Sequence, residues 1–187
     1  MSLVGSDKAR VGICEGGHRH PGERRLTVDR RRLLAIGAAW IAAGRSALAA
    51  GNTDALLLNC IDYRLTGATT RYMTERGMEG KYDQFVLAGA ALGVENAKFP
   101  DWGRTFWEHV QIAIDLHGIR KIIVMDHRDC GFYKDIHGKD LAAEPKEELK
   151  IHAAQMHRVR GDIAKRHPKL EVQLLLMGLD GKAETVA

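Results

Sequence analysis

The sequence is poor in cysteine and proline and lacks repeats, and each shortage excludes a class of protein. Three cysteines in 187 residues are too few for a disulfide-rich scaffold. Four prolines, with no low-complexity tract and no internal repeat, exclude a proline-rich linker and a repeat array. No G-x-G-x-x-G segment is present, so nothing indicates a nucleotide site. What remains is a chain long enough for one domain with a substantial hydrophobic core.

The body of the chain also lacks a surplus of basic charge, although the formal net charge of the whole is +4. Residues 1–49 carry nine basic and four acidic side chains, whereas residues 50–187 carry 19 basic and 20 acidic ones. The basic surplus is therefore confined to the first segment. We expect no nucleic-acid partner for this protein.

The first segment, residues 1–49, is typical of a leader that contains a twin-arginine-type signal peptide. Three arginines at positions 30 to 32 precede an apolar run over 33–43, and residues 47–49 have the A-x-A pattern of a cleavage site. The run is about a dozen residues long, whereas a spanning helix needs about 20. We therefore expect cleavage, no lasting membrane span and export to the periplasm. An ordinary amphipathic helix and an uncleaved anchor remain alternatives.

Residues 50–187 are expected to form a single domain in which strands and helices alternate. Four apolar segments are predicted strands, at 55–62, 82–90, 121–128 and 171–179. Three of them are apolar throughout, as in strands that are covered on both faces. Stretches with helical periodicity lie between them, at 66–76, 101–116 and 145–166. The pattern predicts an α/β fold, a mainly parallel sheet flanked by helices in a Rossmann-like three-layer sandwich.

Reactive side chains follow two of these predicted strands. Cys60, Asp62 and Arg64 come at the end of the first strand, and His127 and Cys130 come at the end of the third. Functional groups of parallel sheets lie beyond the carboxyl ends of the strands. If the two strands are neighbours, all five side chains converge.

Two thiols and one imidazole are a ligand set of open, catalytic zinc sites. Thiolate and imidazole ligands also favour zinc over magnesium or calcium. The same side chains have other possible roles, because small thiols and a histidine are often simply buried in a core. Cys60 and Cys130 could also form a disulfide in an oxidising compartment. The residues alone leave these alternatives open.

The C-x-D-x-R motif that starts at Cys60 and the H-x-x-C-G motif that starts at His127 together resemble the β-class carbonic anhydrases. The resemblance covers most of the chain after the leader. It implies that Cys60, His127 and Cys130 bind Zn²⁺, and that Asp62 and Arg64 form a catalytic dyad in which the arginine holds the aspartate off the metal. It further implies a lyase that interconverts carbon dioxide and bicarbonate through a zinc-bound hydroxide, and a homodimer or higher oligomer.

The segment 87–91, which reads LAGAA, departs from the polar stretch that this family usually carries after its second strand. This apolar segment keeps an alternative open, a zinc hydrolase of carbonyl sulfide or carbon disulfide on the same fold. Two cysteines in an oxidising compartment keep another open, a non-enzymatic periplasmic metal-binding or redox protein.

Overall fold

A mostly parallel sheet of five strands forms the centre of the part of the chain that the computed structural model describes, residues 52–187. The predicted leader lies outside the described residues. The strands are β1 (Ala55–Asn59), β2 (Tyr82–Val86), β3 (Lys121–His127), β4 (Glu171–Met177) and β5 (Ala183–Thr185). Their order is β2-β1-β3-β4-β5, with parallel pairing throughout except between β4 and β5. The predicted fold class is therefore confirmed.

Five α-helices connect these strands within residues 52–187. They are α1 (Thr66–Glu75), α2 (Ala91–Val94), α3 (Pro100–His117), α4 (Gly131–His137) and α5 (Pro145–Arg166). The three long helices were predicted from their apolar periodicity. The two short ones, α2 and α4, were not predicted, because four and seven residues are too few to show a helical period. None of the helices in this part of the chain has the length and apolar character needed to cross a bilayer.

Helices cover both faces of the sheet, as the continuous apolar strands predicted. On one face Leu56 and Leu58 of β1 pack with Phe106 of α3 and Val159 of α5. On the other face Leu57 packs with Met73 of α1. Burying one such side chain fully stabilises the fold by about 1.5–3 kcal/mol. The two apolar layers fix β1 and β3 as neighbours in the middle of the sheet.

All four predicted strands end earlier than expected, the third and fourth by one or two residues and the first and second by three or four. The first was predicted to reach residue 62 but ends at Asn59, and the second was predicted to reach residue 90 but ends at Val86. Asn59 and Val86 are partners in the parallel ladder, so both strands end at the same level of the sheet. Beyond that level Gly89 has φ +69° and Ala90 has φ +39°, values that no strand residue adopts. The segments after β1 and β2 are therefore loops, which can direct side chains and amides toward a site.

Candidate metal centre

The structure brings Cys60, His127 and Cys130 together at the carboxyl edge of the sheet. Cys60 directly follows β1, His127 is the last residue of β3, and Cys130 immediately precedes α4. β1 and β3 are paired in register from Ala55 to Asn59, so the chain leaves both strands at the same edge. Convergence of the three side chains thus follows directly from the strand order.

The three ligand atoms lie within 4.8 Å of one another. The sulfur atoms of Cys60 and Cys130 are 4.0 Å apart, and neither cysteine is in a disulfide. Two sulfurs that are each about 2.3 Å from a tetrahedral zinc ion lie about 3.8 Å apart, whereas bonded sulfurs lie about 2.05 Å apart. The observed spacing fits a shared metal ion and not a disulfide.

His127 presents the nitrogen that such a site needs. The ring is buried, and its Nδ1 atom donates a hydrogen bond to the carbonyl oxygen of Arg128 over 2.8 Å. Its Nε2 atom is also buried but has no hydrogen-bond partner among the described residues. An orphaned buried nitrogen is costly unless it binds something. A backbone bond at Nδ1 that leaves Nε2 free is also how proteins orient a metal-binding histidine.

The thiol pair already favours a negative charge that would attract a cation. A hydrogen bond from the Cys130 thiol lowers the pKa of Cys60 to about 4, although burial acts in the opposite direction. The same hydrogen bond, together with burial, raises the pKa of Cys130. Burial lowers the pKa of His127, but its approach to Cys60 outweighs burial and leaves it raised. The negative charge of a thiolate at Cys60 has to be balanced, either by a proton on His127 or by a bound metal ion.

Asp62 and Arg64 form a two-pronged ion pair beside the cluster. Arg64 donates from Nε to Asp62 Oδ1 over 3.0 Å and from Nη2 to Asp62 Oδ2 over 2.7 Å, and its backbone amide also donates to Oδ1. These hydrogen bonds lower the pKa of Asp62 to about 2, against the effect of burial. Asp62 Oδ2 is 3.8 Å from His127 Nε2. An ionised carboxylate therefore borders the position that a metal ion would take.

The segment 87–91 contributes a backbone group to the site. The amide of Gly89 donates to the sulfur of Cys60 over 3.3 Å, which helps to lower the pKa of that thiol. The ring of Phe132 lies close to the Cα atom of Gly89. A Cβ atom on residue 89 would approach this ring to 2.5 Å. The positive φ and this close approach together require glycine at residue 89. The polar side chains expected after the second strand are thus replaced here by a main-chain donor.

Sequence reasoning missed three acidic residues that support the turn from β3 to α4. They are Asp126, Asp129 and Glu148. The first could have been found, since a carboxylate inside the apolar run 121–127 has to be satisfied by buried partners. The contacts of the other two cross between distant segments, which no local pattern reveals.

Asp126 is fully buried one residue before His127. Its carboxylate accepts hydrogen bonds from Tyr133 Oη at 2.5 Å, from His152 Nδ1 at 2.8 Å and from the backbone amide of Ala91 at 3.0 Å. This hub joins β3, α2, α4 and α5. It fixes the strand end that carries His127.

Glu148 is 2% exposed and holds the turn itself. It accepts the backbone amide of Asp129 at 2.6 Å and the guanidinium of Arg128 at 3.1 Å. Arg128 also pairs with Glu184 of β5. Arg128, the basic residue next to His127, is therefore held by two acidic partners, Glu148 and Glu184.

Taken together, the fold and the site define a class: an α/β protein with an open cluster of two thiols and one imidazole at the carboxyl edge of a parallel sheet. A family model described as "Putative carbonic anhydrase" matches residues 50–187. The chain belongs to this family. The resemblance noted in the two motifs is confirmed at that level.

The chain is also similar to two curated proteins of Rickettsia. The chain is 37% identical over 131 residues to the uncharacterized protein RC0076 of Rickettsia conorii, covering 70% of each. An uncharacterized protein of Rickettsia bellii is also 37% identical over 131 residues, covering 70% of this chain and 80% of the relative.

Among solved structures, the β-carbonic anhydrase CafA of Aspergillus fumigatus has a TM-score of 0.46 and 14% identity, covering 83% of this chain and 89% of that one. A tetrameric β-carbonic anhydrase of Sordaria macrospora has a TM-score of 0.44 and 17% identity, covering 85% and 98%.

Proposed function

We propose that this protein is a zinc-dependent carbonic anhydrase, a lyase that interconverts carbon dioxide and bicarbonate. One observation carries the proposal: the orphaned Nε2 of His127 and the sulfurs of Cys60 and Cys130 lie together at zinc-binding spacing. Family membership supports the same conclusion. Cys60, His127 and Cys130 would hold the ion, and the soft donor set favours zinc over magnesium or calcium.

Zinc held by three protein ligands supplies a Lewis acid that brings the pKa of a coordinated water toward neutrality. Asp62 supplies the acceptor beside that position. With a pKa of about 2, its carboxylate remains ionised and is too weak a base to keep a proton at neutral pH. Asp62 would therefore accept a hydrogen bond from a water beside the three ligands and orient it without taking up its proton. Arg64 holds the carboxylate in the orientation that this role needs.

Segment 87–91 brings a main-chain donor to the cluster and no polar side chain. The amide of Gly89 donates to the sulfur of Cys60, whereas Ala90 and Ala91 are fully buried in the hydrophobic core. Carbon dioxide is small and uncharged and needs few specific donors. Carbonyl sulfide and carbon disulfide share these properties, so both belong in the assay.

We also propose a homo-oligomer and export from the cytoplasm. β2 is an edge strand on which Val86 is exposed, and Ile112 and Leu116 of α3 are exposed as well. Exposed apolar side chains next to an open edge favour pairing with a second copy. Light scattering tests the oligomer, and N-terminal sequencing of the protein recovered from cells tests cleavage after residue 49.

The activity is tested by stopped-flow hydration of carbon dioxide on zinc-loaded protein. We expect His127→Gln to abolish zinc binding and activity together, because it removes one of three ligands. His109→Gln is the matched control, since His109 contacts the carbonyl of Thr105 on the exposed side of α3 and should leave both unchanged. Zinc-loaded protein with no hydration above buffer would refute the proposal. Release of sulfide from carbonyl sulfide by that same protein would assign the hydrolase instead.

A further inference from the structure

We propose that Asp129 is a positioning residue of the metal centre: it fastens Arg64, and through Arg64 the loop that carries Cys60, to the turn that carries His127 and Cys130. This inference rests on the proposed zinc site. It concerns how the two halves of that site are held at the correct distance.

Arg64 makes more hydrogen bonds than its pair with Asp62 alone. Besides its pair with Asp62, it donates from Nη1 to Asp129 Oδ2 and from Nη2 to the backbone oxygen of Asp129, both over 2.8 Å. Four of the five guanidinium hydrogens are therefore used. Such a planar, multiply bonded arginine fixes geometry in a way that a single point charge does not.

Only some of the bonds of Arg64 cross from one loop of the site to the other. Asp62 and Arg64 are two residues apart on one loop, so their pair holds nothing to the opposite side. Asp129 lies between two predicted ligands, His127 and Cys130, on the other loop. The pair of Arg64 with Asp129 is therefore the ion pair that joins the two loops, while the 3.8 Å approach of Asp62 to His127 is longer.

Asp129 is itself held in place by a buried partner. Its backbone has φ +58°, in the left-handed region that aspartate adopts more readily than most residues but less readily than glycine. The buried carboxylate of Glu148 accepts its amide at 2.6 Å. An aspartate kept in this conformation by a buried partner offers Arg64 a fixed point of attachment.

The control residue is Lys134. Its Nζ atom bonds the other oxygen of Asp129 over 2.7 Å and pairs with Asp140 over 3.1 Å, so it takes no part in the bonds between Asp129 and Arg64. Lys134→Gln therefore removes a charge partner of Asp129 without breaking the link across the site.

The test measures the rate at which the zinc-loaded full-length protein releases zinc to a chromogenic chelator. We expect Asp129→Gly to accelerate release about tenfold, the lower end of the effect known for residues that support metal ligands. Asp129→Asn keeps a neutral acceptor for Arg64 and should fall between Asp129→Gly and the wild type. Lys134→Gln should stay within about twofold of the wild-type rate, by the same scale.

Glycine also separates positioning from a role in shaping the turn. It adopts φ +58° without strain, so a turn that needs only its backbone conformation is preserved in Asp129→Gly. The thermal midpoint of the metal-free variant should match that of the wild type, while zinc release is faster. Equal release rates for Asp129→Gly and the wild type would overturn the proposal, and so would equal acceleration in Lys134→Gln.

A double-mutant cycle tests whether Asp129 acts through Arg64. In an Arg64→Gln background, Asp129→Gly should have no further effect on zinc release. Additive effects would overturn the proposed link. Failure of the proposed function looks different, since a wild-type protein that takes up no zinc would refute the metal site itself.

Discussion

The two loops that supply the metal ligands are built very differently. The loop after β1 is open to solvent, with Ile61 61% exposed and Tyr63 85% exposed on either side of Asp62. In the turn after β3 both predicted ligands are buried, with His127 and Cys130 each 3% exposed. The turn after β3 holds its two ligands, His127 and Cys130, in a buried and fixed position. The loop after β1, which carries Cys60, is attached to this turn by side-chain contacts.

This difference has a physical origin in the partners of each segment. Asp126 and Glu148 tie the β3 turn to three helices through buried hydrogen bonds. Beyond β1, the loop has the hydrogen bond from Gly89 to Cys60 and the link from Arg64 to Asp129. Stability should therefore depend on the β3 side, and chemistry on the β1 side.

The largest effect on stability is expected for Asp126→Ala. It would leave three buried donors without an acceptor, which costs about 3–5 kcal/mol by the scale of broken buried pairs. Urea denaturation of the metal-free protein measures the loss. If the variant does not fold, Tyr133→Phe removes one of the three bonds and should cost about 1 kcal/mol. Wild-type stability in both variants would mean that the two loops do not differ as described.

Asp62→Asn should produce the opposite pattern. The amide no longer offers an ionised acceptor, so we expect the hydration rate to fall about a hundredfold, the lower range for removal of one preorganised hydrogen-bonding group. Because the pair of Asp62 with Arg64 lies on a loop that is open to solvent, weakening it should lower the free energy of unfolding by about 1 kcal/mol, well below the loss expected for Asp126→Ala. If Asp62→Asn lost as much unfolding free energy as Asp126→Ala and kept the wild-type hydration rate, the contrast between the β1 loop and the β3 turn would be contradicted.

Glu148→Gln sharpens the comparison within the β3 side. Glutamine keeps an oxygen for the amide of Asp129 but turns a donor toward Arg128, at a position that is 2% exposed. We expect a loss of about 1–2 kcal/mol in unfolding free energy, measured by the same urea titration. Arg128→Gln in the same background should add little if the two residues act as one pair.

The smallest effect is expected for Tyr63→Ser. This side chain lies in the β1 loop and is almost fully exposed, so its removal should change the unfolding free energy by less than about 0.5 kcal/mol. Zinc release should also be unchanged. A marked change in oligomeric state, measured by light scattering, would instead place Tyr63 at a subunit contact.

The fold and the ligand cluster were accessible from the sequence for a definite reason. The runs 55–59 and 121–127 are apolar enough to be central strands, and Cys60 and His127 follow them directly, so strand order alone brings them together. The loop conformation around Gly89 and Ala90 was not accessible, because it depends on the ring of Phe132 and on the carboxylate of Asp126. The link from Arg64 to Asp129 spans 65 residues, and no local pattern encodes it.

The central claim is that Cys60, His127 and Cys130 form one zinc site. The most direct measurement is zinc content together with a count of reactive thiols, on a Cys14→Ser variant purified without added metal. The account predicts one zinc ion per chain and no reactive thiol until the protein is denatured in chelator, when two appear. Protein without zinc, whose two thiols react freely or are joined in a disulfide, would contradict it.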